Sequence, residues 1–266
     1  MEVSPSAPIL LFDSGVGGLS VLSALRKVMP DAPVIYAADM AGLPYGTKSE
    51  AQIAARVAGL LGRMSERYRP RLACIACNTA STIALSMVRE VLEIPIVGTV
   101  PAVKPAALAT ATGVIGLLGT EATVRQAYVD NLEAEFASDK LLLRHAAPGL
   151  VEAAEAKLHG EAVDLSAIRQ AVDALNEMAS GNRIDTVVLA CTHFPLLTEE
   201  LREAFGEGVN FVDGAEGIAR RIAYLTRDQQ FDADIAGLAV TTGESASFEK
   251  LAPAFARLGI DRLERF

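Results

Sequence analysis

The sequence predicts an α/β fold: two similar domains, each a mainly parallel sheet flanked by helices, with an active site in the cleft between them. Three observations carry this expectation. Short apolar runs alternate with longer segments of helical spacing, from APILLFDSG at 7–15 to ASFEKLAPAFARLG at 246–259. Such alternation implies parallel strands joined by right-handed crossovers. The pattern then restarts at TGVIGLLGT, 112–120. Finally, LACIACNTAS (72–81) has a counterpart in TVVLACTHFP (186–195). Each apolar run closes on Ala-Cys and then turns polar.

Element by element, ILLFD reads as a strand ending in the turn DSG, and GLSVLSALRKVM follows as a helix. PVIYAAD is a second strand, ending at the loop LPYGTK, which Pro44 and Gly46 mark. SEAQIAARVAGLLGRMSER opens with a Ser/Glu helix start and continues as an amphipathic helix. PRLACIACN is a third strand, STIALSMVREVL a helix and IPIVGTV a fourth strand. In the second half TGVIGLLGT is a strand, EATVRQAYVDNLEAEF one helix, and LLLRHAAP a strand and loop. Two helical segments cover roughly 150–180. IDTVVLACTHFP is a strand, LLTEELREAF a helix, VNFVDG a strand and AEGIARRIAYLT a helix. LAVTTG is a further strand, and ASFEKLAPAFARLG reads as a single helix.

Composition narrows the function classes. A chain of 266 residues, 51% hydrophobic and 21% charged, can bury one large core or two compact ones. Trp is absent and aromatics are 5%, which favours helices on a Val/Leu/Ile sheet over a stacking platform for nucleic acid. The net charge is −9, and no Lys/Arg run forms a footprint for nucleic acid or an anionic membrane. The N-terminal segment lacks a basic region and a long apolar core, so no signal peptide is expected. The most apolar long stretch, AVKPAALATATGVIGLLG, carries Lys104 and Pro105 and does not read as a membrane span. Three cysteines do not build a disulfide framework, and a reducing, cytoplasmic location is expected. Cys74 and Cys77 form C-I-A-C, but no second pair completes a four-ligand metal site.

The chemistry-bearing residues gather at predicted strand ends, where such sheets bind ligands. Cys74 lies inside its strand and reads as a small buried hydrophobe. Cys77 and Cys191 stand instead at strand-to-helix turns, where free N–H groups favour anions and thiolates. DSGVGG at 13–18 offers a Gly-rich turn for a ligand anion. It is not a dinucleotide fingerprint, since position 20 is Ser, nor a P-loop, since G-K-[ST] is missing. Asp13 reads either as a helix cap or as an acid beside a thiol. His193, two residues past Cys191, is a candidate for tuning a thiolate or passing a proton, whereas His145 and His159 read as structural. Asp39 and Tyr45 also fall at or after a strand end.

FDSGVGGLSV, LPYG, ACNTAS and ACTHFPLL, in this order and spacing, resemble the glutamate racemases, cofactor-independent members of the aspartate/glutamate racemase group. The resemblance covers nearly the whole chain. It implies interconversion of L- and D-glutamate by two cysteines, with neither cofactor nor metal. Cys77 would act on D-glutamate with help from Asp13, and Cys191 on L-glutamate with help from His193. Substrate contacts are implied at Asp13, Ser14, Pro44, Tyr45, Gly46, Asn78, Thr79, Thr120, Thr192 and His193. Asp39 and Glu155 are implied as supporting acids, with Glu152 competing in register with Glu155. Phe194 stands where many relatives have Tyr, and its ring is expected to pack. The resemblance also implies a first domain of 1–99 and 213–266 and a second of 100–212. D-glutamate is a peptidoglycan precursor, so a bacterial cytoplasm is the implied setting. Some relatives are dimers, which makes a homodimer one of the implied partnerships. Some relatives are activated by a cell-wall precursor through an N-terminal extension, and only a dozen residues precede Asp13 here.

Three alternatives remain open at this level. A racemase of aspartate or another amino acid would share fold and mechanism. A decarboxylase of the group needs one active cysteine, and both are present. A binding module that inhibits a DNA topoisomerase, as some relatives do, would not need either thiol.

Overall fold

The computed structural model describes residues 3–266; Met1 and Glu2, the start of the segment read for a targeting signal, lie outside the described residues. The first part of the chain runs β1 (Ile9–Asp13), α1 (Leu19–Val28), β2 (Val34–Ala38), α2 (Glu50–Tyr68), β3 (Leu72–Ile75), α3 (Asn78–Val91) and β4 (Ile96–Gly98). It continues with α4 (Val103–Ala109), β5 (Val114–Gly119), α5 (Glu121–Val124), α6 (Ala127–Phe136), β6 (Leu141–Ala146), α7 (Gly149–Leu158) and α8 (Leu165–Asn176). Then come β7 (Thr186–Leu189), α9 (Thr198–Phe205), β8 (Asn210–Val212), α10 (Ala215–Leu225) and β9 (Gly237–Thr241). The chain closes with α11 (Ser245–Glu249), α12 (Ala252–Ala256) and β10 (Ile260–Arg265). Among the described residues no helix is long and apolar enough to cross a membrane.

Contacts divide the chain into two compact units, residues 1–99 with 215–266, and residues 100–214. The first holds a sheet of order β10-β9-β2-β1-β3-β4, and the second a sheet of order β6-β5-β7-β8. Every strand pairing in both is parallel. The stretch β2-β1-β3-β4 repeats the arrangement β6-β5-β7-β8, so β1 corresponds to β5 and β3 to β7. In each sheet the connections leave the first strand to one side and then cross to the other. The reversal lies between β1 and β3, and between β5 and β7; sheets of this kind bind ligands at such a point, outside the strands' carboxyl ends. Cys77 and Cys191 follow β3 and β7 directly, which accounts for their matching sequence contexts.

Strands β1, β2, β3, β5 and β7 are buried along their whole length, because both faces are covered. All five residues of β1 are buried. Leu10 and Phe12 pack with Ile53, Val57 and Leu61 of α2 and with Ala80, Ala84 and Val88 of α3. In the second sheet, Val114 and Leu118 face Leu150, Val172 and Leu175, while Ile115 and Leu117 face Val103, Ala106 and Val129. Helix α2 starts at a capping box. Ser49 Oγ accepts from the Gln52 N–H at 3.3 Å, and Gln52 Oε1 accepts from the Ser49 N–H at 3.0 Å, so Gln52 rather than Glu50 completes the cap.

Two segments expected as single helices are broken. The run 121–136 divides into α5 and α6, because Gln126 is extended (φ −76°, ψ 137°) and tucks its side chain inside. The β-branched Thr123 and Val124 just before it are weak helix formers. The run 246–259 divides at Leu251, with Pro253 in the first turn of α12, where its missing N–H costs no helix bond. Strand β10 follows in a stretch, IDRLER, whose charges hide its strand character.

Arg71, before β3, locks the first unit's N-terminal segment. Its guanidinium donates to the carbonyls of Ala7 (2.7 Å), Pro5 (2.9 Å), Ser4 (3.0 Å) and Gln230 (3.0 Å) and to Gln229 Oε1 (3.0 Å). It also stacks on the Phe231 ring, 4.0 Å from the centroid. Arg71→Met leaves these acceptors short of a donor at a buried position. It is expected to lower stability by about 2–4 kcal/mol in urea unfolding.

Candidate active site

In the first unit, the carboxyl ends of β1 and β3 bring Asp13, Ser14 and Cys77 together. Asp13 is fully buried and its carboxylate accepts three hydrogen bonds. These come from the Ser14 N–H (2.8 Å), the Gly18 N–H (2.7 Å) and the Tyr36 hydroxyl (2.9 Å). A Cβ at Gly18 would stand 2.9 Å from the Tyr36 hydroxyl and 3.1 Å from Asp13 Oδ2, so glycine is what lets α1 begin this close to the carboxylate. Ser14 Oγ donates to Cys77 Sγ at 3.2 Å, and the Ala80 N–H donates to the same sulfur at 3.4 Å. Cys77 is thus the N-cap of a 14-residue helix. The N-terminal N–H groups of α3 favour negative charge on that sulfur. Asn78 and Thr79 open the helix and are buried, and Thr99 Oγ1 lies 3.4 Å from Asn78 Oδ1. Cys74, inside β3, is fully buried; desolvation first, then the charge of Asp13, pushes its thiol pKa upward, so it stays neutral.

Tyr36→Phe removes one donor from the buried Asp13 carboxylate. The expected loss is about 1.5–3 kcal/mol of stability, checked by urea unfolding.

The loop after β2 is built around a second buried acid. Asp39 is fully buried, and its N–H donates to the Asp13 carbonyl at 2.8 Å. Asp39 Oδ2 accepts from the Tyr45 hydroxyl at 2.5 Å and from Arg56 Nε. Its Oδ1 accepts from Arg56 Nη2 at 2.6 Å and from Thr242 Oγ1 at 2.5 Å. Burial, then the Asp39 charge, raises the Tyr45 pKa far above the phenolic range, so the hydroxyl stays protonated and donates. The hydrogen bond to Asp39 raises the Arg56 pKa, and the guanidinium stays charged. Pro44 follows Leu43 through a cis peptide bond, and Tyr45, Gly46 and Thr47 form a single 3₁₀ turn.

The second unit sets Cys191 in a three-residue chain. Cys191 Sγ lies 3.8 Å from His193 Nδ1, and His193 Nε2 lies 2.6 Å from Glu155 Oε1 on α7. Cys191, Thr192 and His193 are all buried. Burial by itself lowers the imidazole pKa. The hydrogen bonds and charges of Cys191 and Glu155 outweigh it, and the pKa stands well above the usual histidine value. In the resulting imidazolium both ring nitrogens donate, one toward the sulfur and one to the carboxylate. Glu155, rather than Glu152 one turn earlier, holds this hydrogen bond. Thr120, at the end of β5, caps α5 by accepting from the Thr123 N–H at 3.3 Å. Phe194 is fully buried and packs in the same apolar cluster as Cys191. His159 Nδ1 lies 2.8 Å from the Glu155 carbonyl, at the end of α7.

Each unit therefore places a buried cysteine at a strand's carboxyl end with a carboxylate in its surroundings: Asp13 through the Ser14 turn, Glu155 through His193. Tyr36, which holds Asp13, and Arg56 and Thr242, which hold Asp39, lie outside the motifs that point to the site. A phenol inside an otherwise apolar strand, VIYAA, was the available signal for Tyr36; a lone Arg on an amphipathic helix gives none for Arg56.

A family model described as Asp/Glu/Hydantoin racemase matches residues 20–222. The chain belongs to that family. It is accordingly an enzyme, an amino-acid racemase. It is 63% identical to a glutamate racemase of Sphingopyxis alaskensis over 240 residues, covering 90% of each chain. It is 44% identical to the glutamate racemase of Escherichia coli strain K12 over 270 residues, covering 100% of this chain and 94% of that one. Its fold matches a crystal structure of Escherichia coli glutamate racemase in complex with L-glutamate and the activator UDP-MurNAc-ala, with a TM-score of 0.91, 45% identity and 98% coverage of both chains. A glutamate racemase from Bacillus anthracis matches with a TM-score of 0.83 at 27% identity, covering 97% of each chain.

Proposed function

We propose that the protein interconverts L- and D-glutamate by moving the α-proton between two thiols, supplying D-glutamate for peptidoglycan synthesis in a bacterial cytoplasm. The observation that carries the reading is the pair of buried strand-end cysteines, each in a proton-handling environment. Inverting a stereocentre requires an acceptor and a donor on opposite faces of the α-carbon. A thiolate at Cys77 takes the proton from D-glutamate and Cys191 delivers one to the other face; with L-glutamate the roles reverse. Asp13 fixes the turn that carries Ser14, whose hydroxyl meets the Cys77 sulfur. His193, held charged by Cys191 and Glu155, shuttles a proton at Cys191. Backbone and hydroxyl donors around Ser14, Asn78, Thr79, Thr120 and Thr192 offset the negative charge on the substrate's carboxylates as the α-carbanion forms. Pro44, Tyr45 and Gly46 supply a further wall for the substrate. Glutamate as the substrate is supported by the relatives' names and by the L-glutamate complex of the Escherichia coli enzyme.

The test is incubation of the reduced, purified protein with single enantiomers of glutamate, aspartate and other amino acids, without added cofactor, followed by chiral chromatography. Racemisation of both glutamate enantiomers, with aspartate turned over at least about 10²-fold more slowly, is expected. Equal or faster turnover of aspartate would overturn the substrate assignment.

A further inference from the structure

We propose that Arg56 is a positioning residue, acting through Asp39 to hold the Gly42–Gly46 segment in the conformation that receives the substrate. The proposal rests on the glutamate reading above, in which Pro44, Tyr45 and Gly46 contact the substrate. Asp39 is a junction for three separate parts of the first unit. Tyr45 comes from the loop after β2, Arg56 from α2 and Thr242 from the turn after β9. Both carboxylate oxygens accept twice, and the side chain has no exposed surface. Its charge is therefore balanced by Arg56 and not by water. The phenol of Tyr45 is committed to Asp39, so this residue anchors its segment by its ring and leaves the backbone of 44–46 as the face that can vary with the cluster.

A second observation points the same way. Gly42 is buried, and a Cβ there would stand 2.6 Å from Arg56 Nε and 2.8 Å from Tyr45 Cε1. The glycine leaves the room in which the ion pair and the phenol converge. Thr242 closes the cluster from the other side, where its Oγ1 also accepts from the Ala41 N–H at 3.2 Å. The segment is thus clamped at both ends by one carboxylate, and the carboxylate is kept in place by the fork of Arg56. Removing Arg56 alone leaves a buried charge unpaired, which drives Asp39 toward water and takes Tyr45 with it. Removing both charges together does not, because an asparagine at 39 accepts from one of the two hydroxyls through Oδ1 and donates to the other through Nδ2, so Tyr45 and Thr242 both keep a partner.

The experiment compares wild type, Arg56→Met, Gly42→Ala and the double variant Arg56→Met/Asp39→Asn. Two readouts are taken: glutamate KM and kcat, and amide hydrogen exchange of the 40–48 backbone. Arg56→Met is expected to raise KM about ten-fold while kcat stays within about three-fold. Exchange across 40–48 accelerates, and Gly42→Ala gives the same pattern. The double variant recovers most of both changes, a non-additivity that independent structural damage does not produce. Unchanged KM in Arg56→Met, or additive losses in the double variant, would overturn the proposal. If the wild type fails to racemise glutamate, the functional reading falls. The exchange data then decide alone whether Arg56 holds the segment, and unchanged exchange sinks the proposal as well.

Discussion

Replacing either Cys77 or Cys191 with serine is expected to lower kcat/KM for glutamate by about 10²–10⁴-fold or more, the range a positioned acid or base contributes. A serine hydroxyl occupies nearly the same space. At position 77 it can keep the contacts to Ser14 and the Ala80 N–H, so the fold survives. What disappears is a thiol, a far stronger acid than an alcohol, whose thiolate can remove a proton from carbon. The loss must be equal in both directions for each variant. Enantiomers have equal free energy in an achiral solvent, so the equilibrium constant is one and the two kcat/KM values stay matched. Only kcat and KM taken separately can become unequal between D- and L-glutamate. Cys74→Ala serves as the control. Its sulfur is buried inside β3 and stays neutral, so activity per folded molecule is expected to remain within a few-fold. Chiral chromatography from each enantiomer checks all three variants.

The second large effect belongs to His193. His193→Asn removes the group between Cys191 and Glu155, and kcat/KM is expected to fall about 10²-fold. The same variant carries a pH signature in stability. The folded-state pKa of His193 lies well above its ordinary value near 6.5, because its bonds to Cys191 and Glu155 outweigh the cost of burial. The folded protein therefore binds a proton that the unfolded chain releases on passing 6.5. The stabilisation is fully present below about pH 6.5 and is lost as pH rises through the folded-state value. Urea unfolding of wild type and His193→Asn at about pH 6 and pH 9 should show the stability difference shrinking at the higher pH. A difference that grows with pH would mean that the imidazole is held neutral. Glu155→Gln should bring the imidazole titration down, measured by NMR of the ring protons.

Much of this architecture was legible because parallel strands buried on both faces leave contiguous apolar runs. ILLFD, LACI, VIGLLG and TVVL announce themselves, and the polar residues after them mark their carboxyl ends. The repeated Ala-Cys at two strand ends reflected a repeated strand order. The breaks at Gln126 and Leu251 were hidden, since helical spacing continues through both. There the decisive factors are a buried amide side chain and the placement of Pro253. Strand β10 was masked by four charges in six residues, as expected at the sheet's edge. In the site, Asp13, Cys77, Cys191 and His193 stand where short motifs put them. The partners of the acids were not readable. Tyr36 reaches Asp13 because β1 and β2 pair in parallel, and Arg56 reaches Asp39 only when α2 packs back over the sheet. The choice between Glu152 and Glu155 is one helical turn, which periodicity cannot make. Contact with His193 makes it.

The most direct test of the two-thiol account is the fate of the α-proton at low conversion in D₂O, starting separately from L- and D-glutamate. If each face has its own thiol, the proton removed by one cysteine is not the one delivered by the other. The account predicts product almost fully deuterated at the α-carbon in both directions, while the remaining substrate keeps its protium. Product that retains the substrate's own α-hydrogen would show one group serving both faces and would contradict the account.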